Sequence, residues 1–242
     1  MNRKIVSRNL LNSGMKDNED LPVLEYFESL DKNNNYDLLE VGSGLCRFVD
    51  KIKDLFPNLK IFCLEINENL ANLAKGKQYE VINKDILDNS LPEERFEIVH
   101  CSHVLEHFGY PEVTRVIDEL LRVTKNGGVC IIRSPLMWEE FYFDIDHVQP
   151  YPPEAIIRYL ESDQQQKKGK NEVEILKTWY RTKVKQYHLI DKSSIWSSVK
   201  ILREFLNKRI IWMNRKMKAS WKRYRFPAGN PTGYVMIIKK LQ

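Results

Sequence analysis

Three histidines and the acidic residues around them carry much of the chemistry open to this 242-residue chain. His103 and His107 stand four residues apart, just after the apolar run Phe96 to Cys101, with Ser102 leading into them. His147 lies in Phe141-Tyr142-Phe143-Asp144-Ile145-Asp146-His147-Val148, a group of aromatics around an Asp-His pair. An unperturbed imidazole titrates near pH ~6.5, so His103 and His147 are natural proton acceptors, and Asp144 or Asp146 could orient His147. A plainer reading stands beside this one: His107 as a hydrogen-bonded structural histidine, and the aromatics as packing. H-x-x-x-H without a further ligand does not establish a metal site, and no metal is expected.

A second chemical centre is Tyr36-Asp37-Leu38-Leu39-Glu40-Val41-Gly42-Ser43-Gly44-Leu45-Cys46-Arg47-Phe48-Val49-Asp50. An apolar run from Asp37 to Val41 reads as a buried parallel strand. Leu45, Phe48, Val49 and Ile52 then recur at helical spacing until Phe56-Pro57. Between them Gly42 and Gly44 let the chain turn sharply and let a ligand approach the main chain, and free N–H groups at the helix start favour a polar or anionic group. Arg47 occupies the place of the third glycine of a dinucleotide fingerprint, and no G-x-x-x-x-G-K-[ST] phosphate loop is present. Leu59 to Leu64 reads as a second strand ending at Glu65, 25 residues beyond Glu40, about one βαβ unit later. A carboxylate there can accept both hydroxyls of a ribose, or can be a solvated strand end.

These centres need a frame. Leu21-Pro22 opens a short helix with Val23, Leu24, Phe27 and Leu30 apolar, and Leu70, Leu73 and Ala74 mark another, with Gly76 as its cap. Tyr79 to Ile82 reads as a third strand and Phe96 to Cys101 as a fourth. Pro111 starts a helix with Val113, Val116, Ile117, Leu120 and Leu121 apolar; a glycine turn at Gly127-Gly128 leads into a fifth strand. Val173 to Ile190 holds one or two strands, and Tyr234 to Lys239 is the last.

Glu40-Val41-Gly42-Ser43-Gly44, then Val104-Leu105-Glu106-His107, then Leu121-Arg122-Val123-Thr124-Lys125-Asn126-Gly127-Gly128, resemble in order the conserved segments of class I S-adenosylmethionine-dependent methyltransferases of the small-molecule type. Cys46 replaces the last glycine of the first motif and Asn126 replaces a usual proline. The resemblance covers about residues 36–160. It implies an α/β fold, a doubly wound, seven-stranded Rossmann-like sheet with the last strand inserted antiparallel beside the fifth. It also implies S-adenosylmethionine as cofactor, held by Glu40, Gly42, Gly44, Glu65, Ile66, Asp85, Ile86 and Ser102. Asp85 would approach the adenine amino group and Ile86 would cover the ring, although Asp85 equally suits the N-cap of a short turn. His147 and Tyr151 match a D-H-x-x-x-(Y/F) stretch common in related enzymes, which puts His147 at the substrate, with His103 where the fold presents the methyl. Cys101-Ser102-His103-Val104 is not the (D/N/S)-P-P-(Y/F/W) of base N-methylation, and no Pro-Cys thiol suits cytosine C5 chemistry.

The formal charge of +5 is unevenly spread. Residues 1–150 hold 17 Lys+Arg against 26 Asp+Glu, and residues 151–242 hold 21 against 7. Cys46, Cys63, Cys101 and Cys130 are spaced 17, 38 and 29 apart with no C-x-x-C, which points to reduced thiols. No apolar run approaches the ~20 residues of a membrane span, and the expected location is cytoplasmic, with a peripheral membrane association open. Three parts are expected: a cofactor-binding core over 1–163, a basic helical insertion over 164–226, and a returning strand over 227–242. Between Gln164 and Phe226, 18 basic residues face 4 acids, with Trp179, Trp196, Trp212 and Trp221 among them. Ile195, Val199, Leu202, Leu206, Ile210, Met213 and Met217 predict one amphipathic helix within it. It would cap the core with its lysines solvated, hold an anionic or lipid-linked substrate at a membrane surface, or bind RNA phosphates. The expected function is O-methylation of a small molecule or of a surface-glycan or lipid-linked precursor. The alternatives are an RNA or protein methyltransferase, a silent cofactor-binding scaffold, and a nucleotide-linked oxidoreductase, which Arg47 disfavours.

Overall fold

A computed structural model describes residues 18–138, 140–161, 172–182, 209, 212 and 231–241. Six of its strands, β1 (Tyr36–Val41), β2 (Leu59–Leu64), β3 (Glu80–Ile82), β4 (Phe96–Ser102), β5 (Thr124–Pro135) and β6 (Val173–Thr182), precede the last, β7 (Pro231–Lys240). They form one seven-stranded sheet in the order β3-β2-β1-β4-β5-β7-β6. β1 to β5 pair in parallel, and β7 runs antiparallel against β5, as the resemblance implied. The strand order reverses between β1 and β4, and ligands of open α/β sheets bind outside the carboxyl ends of the strands at such a point.

Both faces of the sheet are covered, which explains why the strands read as continuous apolar runs rather than alternating ones. Leu39, Phe62, Val99 and Ile132 face one core with Val116, Ile117 and Leu120 of α4 (Glu112–Val123) and Ile156 of α5 (Pro153–Glu161). Their neighbours Leu38, Ile61, Ile98 and Ile131 face the other core with Val23 and Phe27 of α1 (Asp20–Glu28), Val49 and Ile52 of α2 (Arg47–Ile52) and Ala74 of α3 (Glu68–Gly76). Burying each branched side chain is worth about 1.5–3 kcal/mol, against a few tenths for helix propensity, so packing determines where α4 lies.

Local differences from the expected boundaries have physical reasons. β5 begins at Thr124 because Phe96 already pairs with Thr124, and the Asn126-Gly127-Gly128 stretch is absorbed as an irregularity before Ile98 meets Val129. α3 buries Ala71 and Ala74 while Leu73 stays exposed, and the left-handed residue past its end is Gln78, not Gly76. All four cysteines are free and buried; burial pushes the Cys63 and Cys130 thiols up to about 12, which makes them unreactive.

The chain divides into one compact unit of residues 1–181 with 231–242 and a second of 182–230. The sheet takes in Val173–Thr182 as β6, which the sequence grouped with the basic insertion. The helix expected over Ile195 to Met217 lies outside the described residues except for Arg209 and Trp212, both helical and exposed. Among the described residues no helix is long and apolar enough to cross a membrane.

Candidate functional site

Glu40, Gly42, Gly44, Glu65, Ile66, Asp85, Ile86 and Ser102, singled out from the sequence, lie on the last residues of β1 to β4 or within four residues of their carboxyl ends. The turn after β1 begins at Gly42, with φ +72° and a Cβ position only 2.5 Å from Val104 Cγ2. Gly44 follows at φ +51°, with nothing within 4 Å of where a Cβ would be. Gly42 thus permits the close approach of the β4 loop, and Gly44 leaves room over the turn. Cys46 is buried and itself left-handed at φ 62°, so the missing third glycine has not changed the backbone path.

Glu65 is buried at the end of β2, and its carboxylate accepts the Gly44 N–H at 2.8 Å and the Asn67 N–H at 3.0 Å. The sequence left the turn's N–H groups facing a ligand; one of them is instead satisfied by Glu65. A carboxylate offers about four acceptor positions, so roughly two remain for vicinal hydroxyls. Ile66 beside it is exposed and Ile86 after β3 is buried. Asp85 caps the short turn Ile86–Asp88 by accepting the Leu87 N–H at 2.8 Å. That is the N-cap role its sequence context allowed, and the second carboxylate oxygen still has acceptor capacity. Ser102 ends β4, half-buried. This set fits an adenosine: room above a glycine turn, a carboxylate with spare acceptors, and an acid with an apolar neighbour one strand further.

Glu40 takes a different place. It is buried in β1 opposite His100 of β4, and its Oε2 lies 2.6 Å from His100 Nδ1, with the Phe48 ring packed at a tilt 4.5 Å from the imidazole. Glu40 therefore supports the turn from beneath. The sequence did not single out His100, because a histidine inside the run Phe96 to Cys101 carries no local signal of its partner.

His103 does not accept a proton at neutral pH. Burial alone would lower its pKa, but hydrogen bonds from its ring to Glu106 (3.1 Å) and Glu19 (3.0 Å) outweigh it and push it up to about 9. Glu19 also meets Arg133 and Arg181, each at 2.9 Å; these partners overcome burial and hold its carboxyl well below the usual range. Asp20 adds bonds to Arg133 and Lys51, each at 2.8 Å. His103 is the cationic centre of a charged network that fastens the start of α1 across the ends of β4 and β5.

His147 stands apart from that network. Its Nδ1 lies 2.7 Å from the Phe141 carbonyl, and its ring packs against Phe141 at 4.7 Å and His107 at 5.1 Å. His107 Nδ1 meets the Asp146 carbonyl at 3.2 Å. Folding thus brings His107, expected to be structural, to His147 across two loops, with Glu106 alongside. Tyr142, Phe143 and Ile145 of the same loop are exposed.

Residues 39–132 match a family described as a methyltransferase domain. An uncharacterised protein of Methanocaldococcus jannaschii is 28% identical over 126 residues, covering 50% of this chain and 51% of that protein; the chain spans about half the length of this curated relative. A SAM-dependent methyltransferase of Archaeoglobus fulgidus superposes with a TM-score of 0.59 at 21% identity, over 92% of this chain and 95% of its own. The YcgJ protein of Bacillus subtilis gives 0.55 at 15% identity, over 91% and 98%. The [4+2]-cyclase SpnF gives 0.57 at 14% identity, over 90% and 80%. At these identities the likenesses establish the fold, and a cyclase among them shows that the fold alone does not decide the reaction.

Proposed function

We propose, for a chain whose residues 39–132 are a class I S-adenosylmethionine-dependent methyltransferase domain, that the whole protein transfers a methyl group to an oxygen of a small molecule or of a glycan or lipid-linked precursor. The observation that carries this reading is the junction of the Gly42–Gly44 turn with the Glu65 carboxylate, 2.8 Å from Gly44 N, with room above the turn. The bound cofactor supplies a methyl on a sulfonium, already an activated leaving group, so the chain needs no covalent nucleophile. Glu65 would accept the ribose hydroxyls and Asp85 the adenine amino group. Ile66 and Ile86 would flank the ring, with Ser102 at the methyl end. Glu40 would act through His100 as a positioning residue.

On the acceptor side His147 is better placed than His103 to receive a proton, because His103 is already charged at neutral pH. The exposed Tyr142, Phe143 and Ile145 on the His147 loop support an acceptor with an apolar body. The basic composition of residues 164–226 supports an anionic partner, a membrane surface ahead of a nucleic acid.

Calorimetry with S-adenosylmethionine and its demethylated product tests the cofactor assignment. Glu65→Ala should weaken both by about 1.5–3 kcal/mol, the loss of charge-assisted hydrogen bonds, and NAD should bind negligibly. NAD binding tighter than S-adenosylmethionine would sink it. Transfer of labelled methyl from the cofactor into cell-extract fractions then identifies the acceptor, with Glu65→Ala as the control.

A further inference from the structure

Glu106, His107 and His147 form a cluster that methyl transfer by proton abstraction alone does not use as a set. One ligand atom from each lies within 4.8 Å of the other two. We propose that these three residues bind one divalent transition-metal ion and leave coordination positions for an oxygen of the methyl acceptor.

The histidines are prepared for this by their main-chain partners. In its neutral form each imidazole has one N–H and one lone pair, and a hydrogen bond at one nitrogen decides which. His147 Nδ1 faces the Phe141 carbonyl at 2.7 Å and His107 Nδ1 faces the Asp146 carbonyl at 3.2 Å. Both Nδ1 atoms are therefore donors, and both Nε2 atoms keep lone pairs. A carbonyl behind the far nitrogen is the usual outer support of a metal-bound histidine. The third group, Glu106, is fully buried and uses its carboxylate on His103 Nδ1 at 3.1 Å and Ser134 Oγ at 3.3 Å. Its remaining lone pairs suffice for one metal bond.

The two loops that bring these groups together are tied to one another. The Glu106 carbonyl accepts the N–H of Val148 at 2.8 Å, and the Tyr151 hydroxyl donates to the Phe108 carbonyl at 2.8 Å. A cation about 2.1 Å from each ligand atom would draw them to about 3.0–3.4 Å of one another, an adjustment of side-chain rotamers. Asp144 Oδ2, 3.7 Å from His147 Nε2, is within reach as a fourth ligand. Two imidazoles with carboxylate suit zinc, manganese or ferrous iron over magnesium or calcium, which prefer oxygen throughout.

The consequence for catalysis rests on the methyltransferase reading; the binding itself does not. A hydroxyl on the cation loses its proton to solvent at a lower pH, as metal-bound water does. Its oxygen then forms the new O–C bond as the donor's C–S bond breaks, and the neutral thioether leaves. His147 would serve as a ligand in this arrangement and not as the base.

The test uses the tag-free full chain, dialysed against EDTA and then against buffer. Mn2+ is titrated with free ion read by electron paramagnetic resonance, and Zn2+ by competition with a chromophoric chelator. One saturable equivalent is expected, weakened at least ~10-fold by His107→Gln and by His147→Gln. The partly exposed His107 makes its variant the safer one for folding, checked by circular dichroism. No saturable binding up to ~1 mM, or an equivalent retained unweakened by either folded variant, overturns the proposal. Calorimetry of the demethylated cofactor on the same EDTA-treated protein separates the two ideas. Cofactor binding without metal binding removes this site and leaves the methyltransferase; metal binding without cofactor binding does the reverse.

Discussion

At Gly42 a Cβ would lie 2.5 Å from Val104 Cγ2 and the backbone holds φ +72°, so one added carbon meets two separate costs. Left-handed backbone costs an L-residue about 1–2 kcal/mol, and overpacking against a stiff β-branched side chain about 1–3. Gly42→Ala should therefore lower the unfolding free energy by about 2–5 kcal/mol in urea titrations. Val104→Ala in that background should return the overpacking part and not the backbone part, so the double variant should be more stable than additivity predicts. Strict additivity would mean the clash is relieved elsewhere. His103 offers a second test at this scale. Its folded pKa, about 9, lies above the unfolded value near 6.5, so its contribution is complete below pH ~6.5 and lost as pH rises through ~9. Solvent reaches 37% of the side chain, which screens the interaction; about 1 kcal/mol of the shift should appear as stability. With EDTA present, the stability gap between wild type and His103→Gln should shrink by about that amount between pH 6 and 9.5. A gap independent of pH would show that folding leaves the pKa of the imidazole unshifted.

The elements around the site are joined mostly by long-range polar contacts, and this decides what the sequence could reveal. The boundaries Leu59–Leu64 and the apolar face of Glu112–Val123 were legible because each is a local pattern of burial repeated over several residues. The place of Glu65 at the end of β2 was legible from its spacing along one βαβ unit, but its bond to the Gly44 N–H was not. The network at α1 was not: His103 bonds Glu19 84 residues away, Asp20 meets Arg133 across 113 residues, and Glu19 meets Arg181 across 162. No periodicity connects residues so far apart. Glu106 was recognised only as part of a motif and His107 only by its spacing from His103, and nothing near them announced His147. Arg133 gave the nearest thing to a signal, a charge following Val129-Cys130-Ile131-Ile132 in a buried strand. It is almost fully buried and pairs with both Glu19 and Asp20. Removing one partner of such a group leaves charge buried without compensation, at about 3–5 kcal/mol for a fully buried pair. Glu19 keeps His103 and Arg181, so Arg133→Ala should cost about 2–3 kcal/mol. Limited proteolysis should then cut near α1 faster than in the wild type. Unchanged stability together with unchanged cleavage would show that α1 is held by Val23 and Phe27 alone.

For the whole molecule, charge is the property that divides the chain. The first 150 residues carry 9 more acidic than basic residues, and the remaining 92 carry 14 more basic than acidic. The acidic part supplies the strand ends that gather Glu65, Asp85, Glu19 and Glu106 around the site. The basic part includes Lys200, Arg203, Lys208, Arg209, Arg215, Lys216 and Lys222, interleaved with the apolar series Ile195 to Met217. An anionic surface bound by such a segment is attracted over about one Debye length, ~8 Å at physiological ionic strength, and the attraction shortens as salt rises. The protein should sediment with vesicles containing phosphatidylserine at low salt, be released as salt is raised, and ignore neutral phosphatidylcholine vesicles. Each Lys or Arg near such a surface contributes about 1 kcal/mol, so neutralising Lys208, Arg209, Arg215 and Lys216 together should abolish sedimentation without altering S-adenosylmethionine binding. Salt-sensitive binding to RNA with no vesicle binding would instead place the acceptor on nucleic acid. Binding to neither would leave the lysines solvated and the acceptor a free small molecule, which reaches the site without help from charge.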